Sequence, residues 1–141
     1  MSEVYSVDVE ITAPVYDTEV TDRVEDAITN LFPGAEIERT PGGLGATTHA
    51  LDRFAERLRE QEILDTARGQ FFDDRRGDTF TFALKKQAAF EGVVNFSVGN
   101  PDELGEIHVA VRVQEPSVEA FVDRIAPATE EGVPPEDDPW R

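Results

Sequence analysis

The chain has 141 residues, no cysteine and a formal net charge of −17. This length indicates one domain with a substantial core. The lack of cysteine excludes disulfides, thiolate catalysis and cysteine zinc sites, and the sequence contains no apolar run long enough to cross a membrane. Its two histidines stand apart without the spacing of a metal site, so we expect no metal and no cofactor.

The acidity has an unusual composition. Aspartate and glutamate total 30, whereas only two of the 13 basic residues are lysines. Such a surface suits a halophilic cytoplasm at molar salt, where the Debye length is about 3 Å and distant carboxylates hardly repel one another. The N-terminal sequence also lacks the pattern of a secretory signal. We therefore predict a cytoplasmic protein whose net charge does not exclude a nucleic-acid partner.

The first elements follow from side-chain periodicity. Residues 4–13 alternate between apolar and polar side chains, which predicts a half-buried strand. Apolar residues at helical spacing then predict a helix that begins at Thr18 or Thr21 and ends at Leu31. A short strand is predicted at 35–39.

A glycine-rich segment follows at 40–48. It lacks the GK[ST] ending of a phosphate-binding loop. We interpret it as a flexible connection before a helix, with Thr47 or Thr48 as the helix cap. Backbone amides at such a helix start would still suit a phosphate.

The remaining pattern consists of helices and then strands. It predicts helices from Ala50 and Ile63, strands at 79–84, 93–98 and 107–113, a turn at 99–105, and a helix that begins at Pro116 or Ser117 and ends at Pro127. The element order is then β-α-β-α-α-β-β-β-α. This order predicts an α+β fold, with a mainly antiparallel sheet and helices on one face.

We predict a single domain at 1–127 and an acidic, proline-rich mobile tail at 128–141. The tail has little to bury, which favours mobility. Trp140 lies within it and is interpreted as exposed, with a docking anchor as the alternative.

One segment departs from the general acidity. From Arg53 to Lys86 there are eight basic and seven acidic residues, against five basic and 23 acidic residues elsewhere. Guanidinium and ammonium groups pair with phosphates, and neutral amides bond to bases or 2′-hydroxyl groups. We therefore predict an RNA-binding surface on this segment. Its residues are Arg53, Arg57, Arg59, Arg68, Arg75, Arg76, Lys85, Lys86 and Gln87, with Gln61 as a further neutral donor.

Two alternatives concern parts of this segment. Arg53 and Arg57 share a helix face with Glu56 and Glu60, so a solvated face with partly cancelling charges is the alternative there. The adjacent acids at 73–74 predict a solvated turn rather than an acid/base pair.

Several phrases of the sequence resemble one family. They are Thr18-Glu19, Leu31-Phe32-Pro33, the stretch from Leu58 to Arg68, Lys86-Gln87-Ala88-Ala89 and the stretch from Gly92 to Phe96. Over residues 4–127 the chain resembles the archaeal protein family numbered 0201, whose members are described as predicted RNA-binding proteins. The resemblance implies a haloarchaeal source and a fold similar to the large-subunit ribosomal protein that binds 5S RNA.

These observations favour a non-catalytic RNA-binding protein. The alternative is a protein-interaction or assembly subunit, including a homodimer, that works without nucleic acid. An enzyme is the least favoured class, since the only candidate groups are Asp65 with Thr66 and Arg68, or Lys86 with Gln87.

Overall fold

The structure of the protein is a computed structural model, which describes residues 5–98 and 105–140. The strands within these ranges are β1 (Ser6–Pro14), β2 (Glu36–Thr40), β3 (Gly43–Thr48), β4 (Arg75–Arg76), β5 (Thr79–Lys85) and β6 (Glu106–Glu115). The helices are α1 (Thr21–Leu31), α2 (Asp52–Glu60), α3 (Leu64–Asp73), α4 (Lys86–Ala89) and α5 (Val118–Ile125). Val4, positions 99–104 of the predicted turn and Arg141 lie outside the described residues.

The sheet is built around the alternating side chains of β1. Val7, Val9 and Ile11 are buried on one face, and Asp8 and Glu10 lie on the other. Because β1 pairs with both β3 and β6, it lies in the middle of a sheet with the order β2-β3-β1-β6-β5-β4. Every strand pair is antiparallel. The predicted α+β class and mainly antiparallel sheet are confirmed.

The helices cover the buried face of the sheet. The opposite surface is called the open face below. On β1, β5 and β6 it carries Glu10, Thr12, Thr79, Thr81, Ala83, His108, Ala110 and Arg112. Neighbouring side chains on this face are thus small, polar or charged.

Aromatic packing joins the helices to the sheet. The ring centroid of Phe71 in α3 lies 5.1 Å from that of Phe80 and 5.0 Å from that of Phe82, both in β5. The same ring contacts Phe54 of α2 and Phe96. Each such pair contributes about 0.5–1.5 kcal/mol beyond the burial of its area. α2, α3 and β5 are therefore held together by one aromatic cluster.

The glycine-rich segment 40–48 contains a strand, and its interpretation as a flexible connection is wrong. β3 alternates the buried Leu44 and Ala46 with glycines, and it pairs with both β1 and β2. A Cβ atom on Gly43 would lie 2.5 Å from the carbonyl oxygen of Ala13, so glycine is required for this close approach. Periodicity missed the strand because the glycines contribute no side chains to the pattern.

The predicted helix caps, Thr47 and Thr48, are wrong because the strand β3 was missed. Thr47 and Thr48 lie within β3, and α2 begins at Asp52 after Leu51. The backbone of the glycine-rich segment is therefore used in the sheet and does not form a helix start where a phosphate would bind.

The strand predicted at 93–98 is reduced to one bridge, between Phe96 and Leu84. The side-chain amide of Gln61 replaces part of the missing ladder. It donates to the carbonyl oxygen of Val94 and accepts from the Val94 N–H, both at 2.8 Å. These bonds satisfy the backbone groups that a strand would otherwise pair. The link after β5 forms α4, and β3 and β4 are additional strands. The observed element order is therefore β-α-β-β-α-α-β-β-α-β-α.

The C-terminal segment, which its composition predicts to be mobile, lies against the domain. The side chain of Asp138 is 1% exposed and pairs with Arg59. Trp140, interpreted above as exposed, is half-buried, and its ring centroid lies 5.0 Å from the guanidinium carbon of Arg59 and 5.1 Å from that of Arg124. Composition does not reveal these contacts because the partners of Asp138 and Trp140 lie far away in the sequence.

Candidate nucleic-acid interface

Several arginines of the arginine-rich segment form ion pairs with acids of the C-terminal part of the chain. Three of its arginines bond to acids that lie 44 to 79 positions further along the chain. These pairs are Arg59–Asp138, Arg68–Asp123 and Arg75–Glu119. The pKa of the Glu119 carboxyl is lowered by a hydrogen bond from the backbone N–H of the same residue and then by Arg75. The three cations tie α2, α3 and β4 to the C-terminal part of the chain.

Arg59 is enclosed by protein, with 7% of its side chain exposed. It donates to both carboxylate oxygens of Asp138, at 2.7 and 2.8 Å. It also donates to the backbone carbonyl oxygens of Ala55, Arg124 and Ile125. A guanidinium group has five N–H donors, and these bonds occupy all of them. Arg59, predicted to bind RNA, therefore has no donor left for a phosphate in this structure.

Lys86, also predicted to bind RNA, is 0% exposed. Its Nζ atom donates to the carbonyl oxygen of Pro14 at 2.6 Å and to Oε1 of Glu19 at 2.7 Å. The same atom lies 4.8 Å from the ring centroid of Tyr16. Oε2 of Glu19 is buried and has no hydrogen-bond partner among the described residues. Lys86 thus joins α4 to the end of β1 and is not accessible to RNA.

Arg53 and Arg57 form pairs on the surface of α2. Arg53 bonds to Glu56 at 3.2 Å and to Glu60 at 2.9 Å. Arg57 bonds to Glu60 and to the carbonyl oxygen of Gly92. Exposed pairs of this kind contribute little to stability, and together they leave the face close to neutral. The arrangement favours the solvated face over a binding face.

Two exposed arginines, on β4 and β6, lie on either side of a threonine of β5. Arg76 lies opposite Thr79, which lies opposite Arg112. Arg76 is exposed and makes no hydrogen bond or ion pair with the described residues. Arg112 is 63% exposed, and its Nε atom lies 3.3 Å from Oδ2 of Asp78. We call Arg75, Arg76 and Arg112 the arginine edge.

The arginine edge borders a surface depression of about 450 Å³, lined in part by Arg75, Arg112, Gln114 and Ser117. Asp78 also lines this depression. The Thr79 hydroxyl donates to Asp78 at 3.0 Å, and this bond together with Arg112 holds the pKa of the Asp78 carboxyl below its usual range. A phosphate at Arg112 must therefore compete with a carboxylate that stays ionised.

Sequence reasoning missed Arg112, and of the nine residues it predicted only Arg75 and Arg76 belong to the arginine edge. Arg112 is outside the segment 53–86, although its place between buried Val111 and Val113 does put it on the exposed side of β6. Lys85 lies at the far end of β5, opposite Glu106. Gln87 is exposed on α4.

The candidate catalytic groups are not brought together. Asp65 accepts a hydrogen bond from the Thr129 hydroxyl at 2.9 Å, whereas Arg68 bonds to Asp123. Lys86 is bonded to a different part of the fold.

Residues 5–98 and 105–140 contain no group of three acidic or histidine side chains that could hold a metal ion. His49 lies 3.1 Å from Asp8, and His108 is exposed on the open face. Within the same ranges no helix is both long and apolar enough to cross a membrane.

Comparison with known proteins identifies the family. A family model described as RNA binding matches residues 8–113. A UPF0201 protein of Thermococcus kodakarensis is 39% identical over 141 aligned residues, which cover 95% of this chain and 99% of that protein. The chain belongs to the UPF0201 family. The resemblance to the family numbered 0201 is thus confirmed.

Two further relatives of this UPF0201 protein support the assignment. A UPF0200/UPF0201 protein of Archaeoglobus fulgidus is 41% identical over 130 residues, which cover 92% of this chain but 40% of the length of that protein. A crystal structure of a UPF0201 protein matches with a TM-score of 0.81 at 40% identity, covering 86% of this chain and 94% of the other. The fold described above is therefore the UPF0201 fold.

The match to the family model covers a defined part of this UPF0201 protein. The matched range 8–113 includes all three residues of the arginine edge. It ends before the C-terminal segment that docks on Arg59.

Proposed function

We propose that this UPF0201 protein binds RNA without catalysing a reaction, and that the arginine edge contacts RNA phosphates. The observation that supports this most is the match of residues 8–113 to a family model described as RNA binding. Guanidinium groups pair with phosphate oxygens through two parallel hydrogen bonds. Arg76 is exposed, and among residues 5–98 and 105–140 it has no carboxylate partner that a phosphate would have to displace.

The net charge of −17 is compatible with such a partner in concentrated salt. We infer that the acidity is an adaptation to a halophilic cytoplasm. At molar salt the Debye length is about 3 Å, so distant carboxylates are screened while direct contacts persist. The implied likeness to the ribosomal protein that binds 5S RNA stays a prediction, and it is consistent with an RNA partner.

The variant Arg76→Ala/Arg112→Ala is expected to bind single-stranded RNA about tenfold more weakly or worse, because each guanidinium group provides charge-assisted hydrogen bonds. Removing two phosphate contacts is also expected to reduce the slope of log K against log salt by about 1.4. Fluorescence anisotropy with a labelled single-stranded RNA, repeated over a salt series, measures both quantities.

The matched control is Arg23→Ala/Arg39→Ala, which removes the same charge from exposed arginines of α1 and β2. Equal weakening in both variants would show that general electrostatics, not the arginine edge, governs binding. Ultraviolet crosslinking in cells at their native salt tests the function itself. Recovery of a protein partner or a second copy of the chain, with no RNA above background, would replace RNA binding by an assembly role.

A further inference from the structure

A polar groove runs along the open face beside the arginine edge. It has a volume of about 480 Å³, and small side chains of β5 and β6 form its floor. Its lining includes Glu10, Gln70, Asp74, Thr81, Ser97 and His108. Phe82 and Val109 also border the groove, but their side chains are buried and offer no accessible group. The accessible groups are hydroxyls, an amide, two carboxylates and one imidazole.

One hydroxyl in the groove has no hydrogen-bond partner in the part of the chain that the structure describes. The Oγ atom of Ser97 is buried and makes no hydrogen bond there. A buried hydroxyl in this state costs free energy that a bound polar molecule recovers. This observation is independent of the arginine edge and points to a ligand in the groove.

The charges in the groove indicate which part of an RNA fits. Glu10 and Asp74 repel a phosphate but accept hydrogen bonds from amines. The amide of Gln70 both donates and accepts. These groups match the edge of a nucleobase that has an exocyclic amine, as adenine, cytosine and guanine do and uracil does not.

His108 offers the surface on which such a base stacks. It is exposed at the groove, and it lies opposite Ala83 on β5 and Thr12 on β1, so small side chains flank the imidazole. Unpaired bases of RNA stack on aromatic side chains, including histidine, whereas bases within a duplex are not accessible in this way.

The strand register connects the groove to the arginine edge. Arg112 lies two residues beyond Ala110 on β6, and Thr79 lies two residues beyond Thr81 on β5. Two residues of a strand span about 7 Å. Arg76 lies beside Thr79 at the same level. The end of the groove at Ala110 therefore lies about 7 Å from the level of these cations, and His108 lies about 13 Å from it.

We propose that the groove holds one unpaired, amine-bearing base of a single-stranded RNA, stacked on His108 and bonded by Ser97, Gln70 and Asp74, while the arginine edge holds the adjacent phosphate. This inference rests on the proposed RNA-binding function. It adds the strand state of the RNA and a preference among its bases.

The test compares the binding of 10-nucleotide adenine, cytosine and uracil strands, and of a duplex, by the wild type and three single variants. The wild type is expected to bind adenine and cytosine strands more tightly than uracil strands or the duplex. His108→Ala is expected to raise the Kd for adenine strands about tenfold, because base stacking on one ring contributes about that much. Ser97→Ala is expected to raise it severalfold.

The control is His49→Ala, which removes the other histidine at a site outside the groove and is expected to leave the Kd unchanged. His108 is exposed, so its replacement is not expected to unfold the protein; circular dichroism verifies this for each variant. In nuclear magnetic resonance spectra, adenosine 5′-monophosphate is expected to shift the amide signals of 81–83, 97 and 108–110.

The possible failures are distinguishable. If the wild type binds the duplex as well as the single strands, or if His108→Ala binds like His49→Ala, the groove proposal is overturned. The RNA-binding function survives that result provided that Arg76→Ala/Arg112→Ala still weakens binding. If the wild type binds none of these RNAs, both proposals fail. Concentration-dependent protection of His108 from diethylpyrocarbonate without RNA would assign the open face to a second copy of the chain and overturn the groove proposal.

Discussion

Lys86→Ala is expected to lower the free energy of unfolding by about 3–5 kcal/mol, the usual cost of removing one partner from a buried ion pair. The Lys86 side chain is fully buried, and Glu19 is 6% exposed. Without the ammonium group, the Glu19 carboxylate and the Pro14 carbonyl oxygen lose their shared donor. Urea unfolding followed by far-ultraviolet circular dichroism measures the effect.

The next residue provides a control for Lys86→Ala. Gln87 is exposed, so Gln87→Ala is expected to change the free energy of unfolding by less than about 0.5 kcal/mol. The double variant Lys86→Met/Glu19→Leu removes both charges, and we expect it to recover part of the lost stability. A loss below 1 kcal/mol for Lys86→Ala would show that the pair is hydrated and that Lys86 does not have the structural role described above.

Asp138→Ala is expected to release the C-terminal segment and to cost about 3 kcal/mol of stability. The Arg59–Asp138 pair has almost no contact with solvent, and Arg59 would keep only its bonds to backbone carbonyl groups. Trp140 is the only tryptophan in the chain. Its fluorescence emission is therefore expected to move to longer wavelength as the ring leaves Arg59 and Arg124.

Asp137→Ala is the matched control, because Asp137 carries the same charge one position earlier and is exposed. It is expected to leave both the emission and the stability unchanged. An unchanged emission spectrum for Asp138→Ala would mean that the segment is held by contacts other than this ion pair. Limited proteolysis provides a second measurement, since the released segment should be cleaved faster.

Local patterns in the sequence predict those parts of the fold whose causes are local. The alternation in β1 is a property of neighbouring residues, so the strand and its buried face are predicted correctly. β3 is missed because Gly43 and Gly45 hide the alternation. The strand expected at 93–98 is reduced to one bridge, and Gln61, which follows α2, bonds to the backbone of Val94 in its place. This bond depends on the three-dimensional arrangement.

The residues of the candidate site were also predicted only where local sequence is sufficient. The segment from Arg53 to Lys86 is conspicuous in composition, but composition does not show that Arg59 pairs with a carboxylate 79 positions away. Nor does it show that Lys86 is buried. Arg112 belongs to the arginine edge only because the sheet brings β6 beside β5. A linear segment of like charges therefore predicts which residues are cationic but not which of them face the solvent.

The pairing of β1 with β6 has a consequence for synthesis of the protein. The register joins Ser6 to Glu115 and Thr12 to His108, so β1 pairs with β6, the last strand of the described residues. At translation rates of about 5–20 residues per second, the apolar face of β1 remains without this neighbour for about 5–20 seconds. Sheets with such distant pairings fold slowly for their size. The nascent chain is thus most prone to aggregation before β6 has left the ribosome.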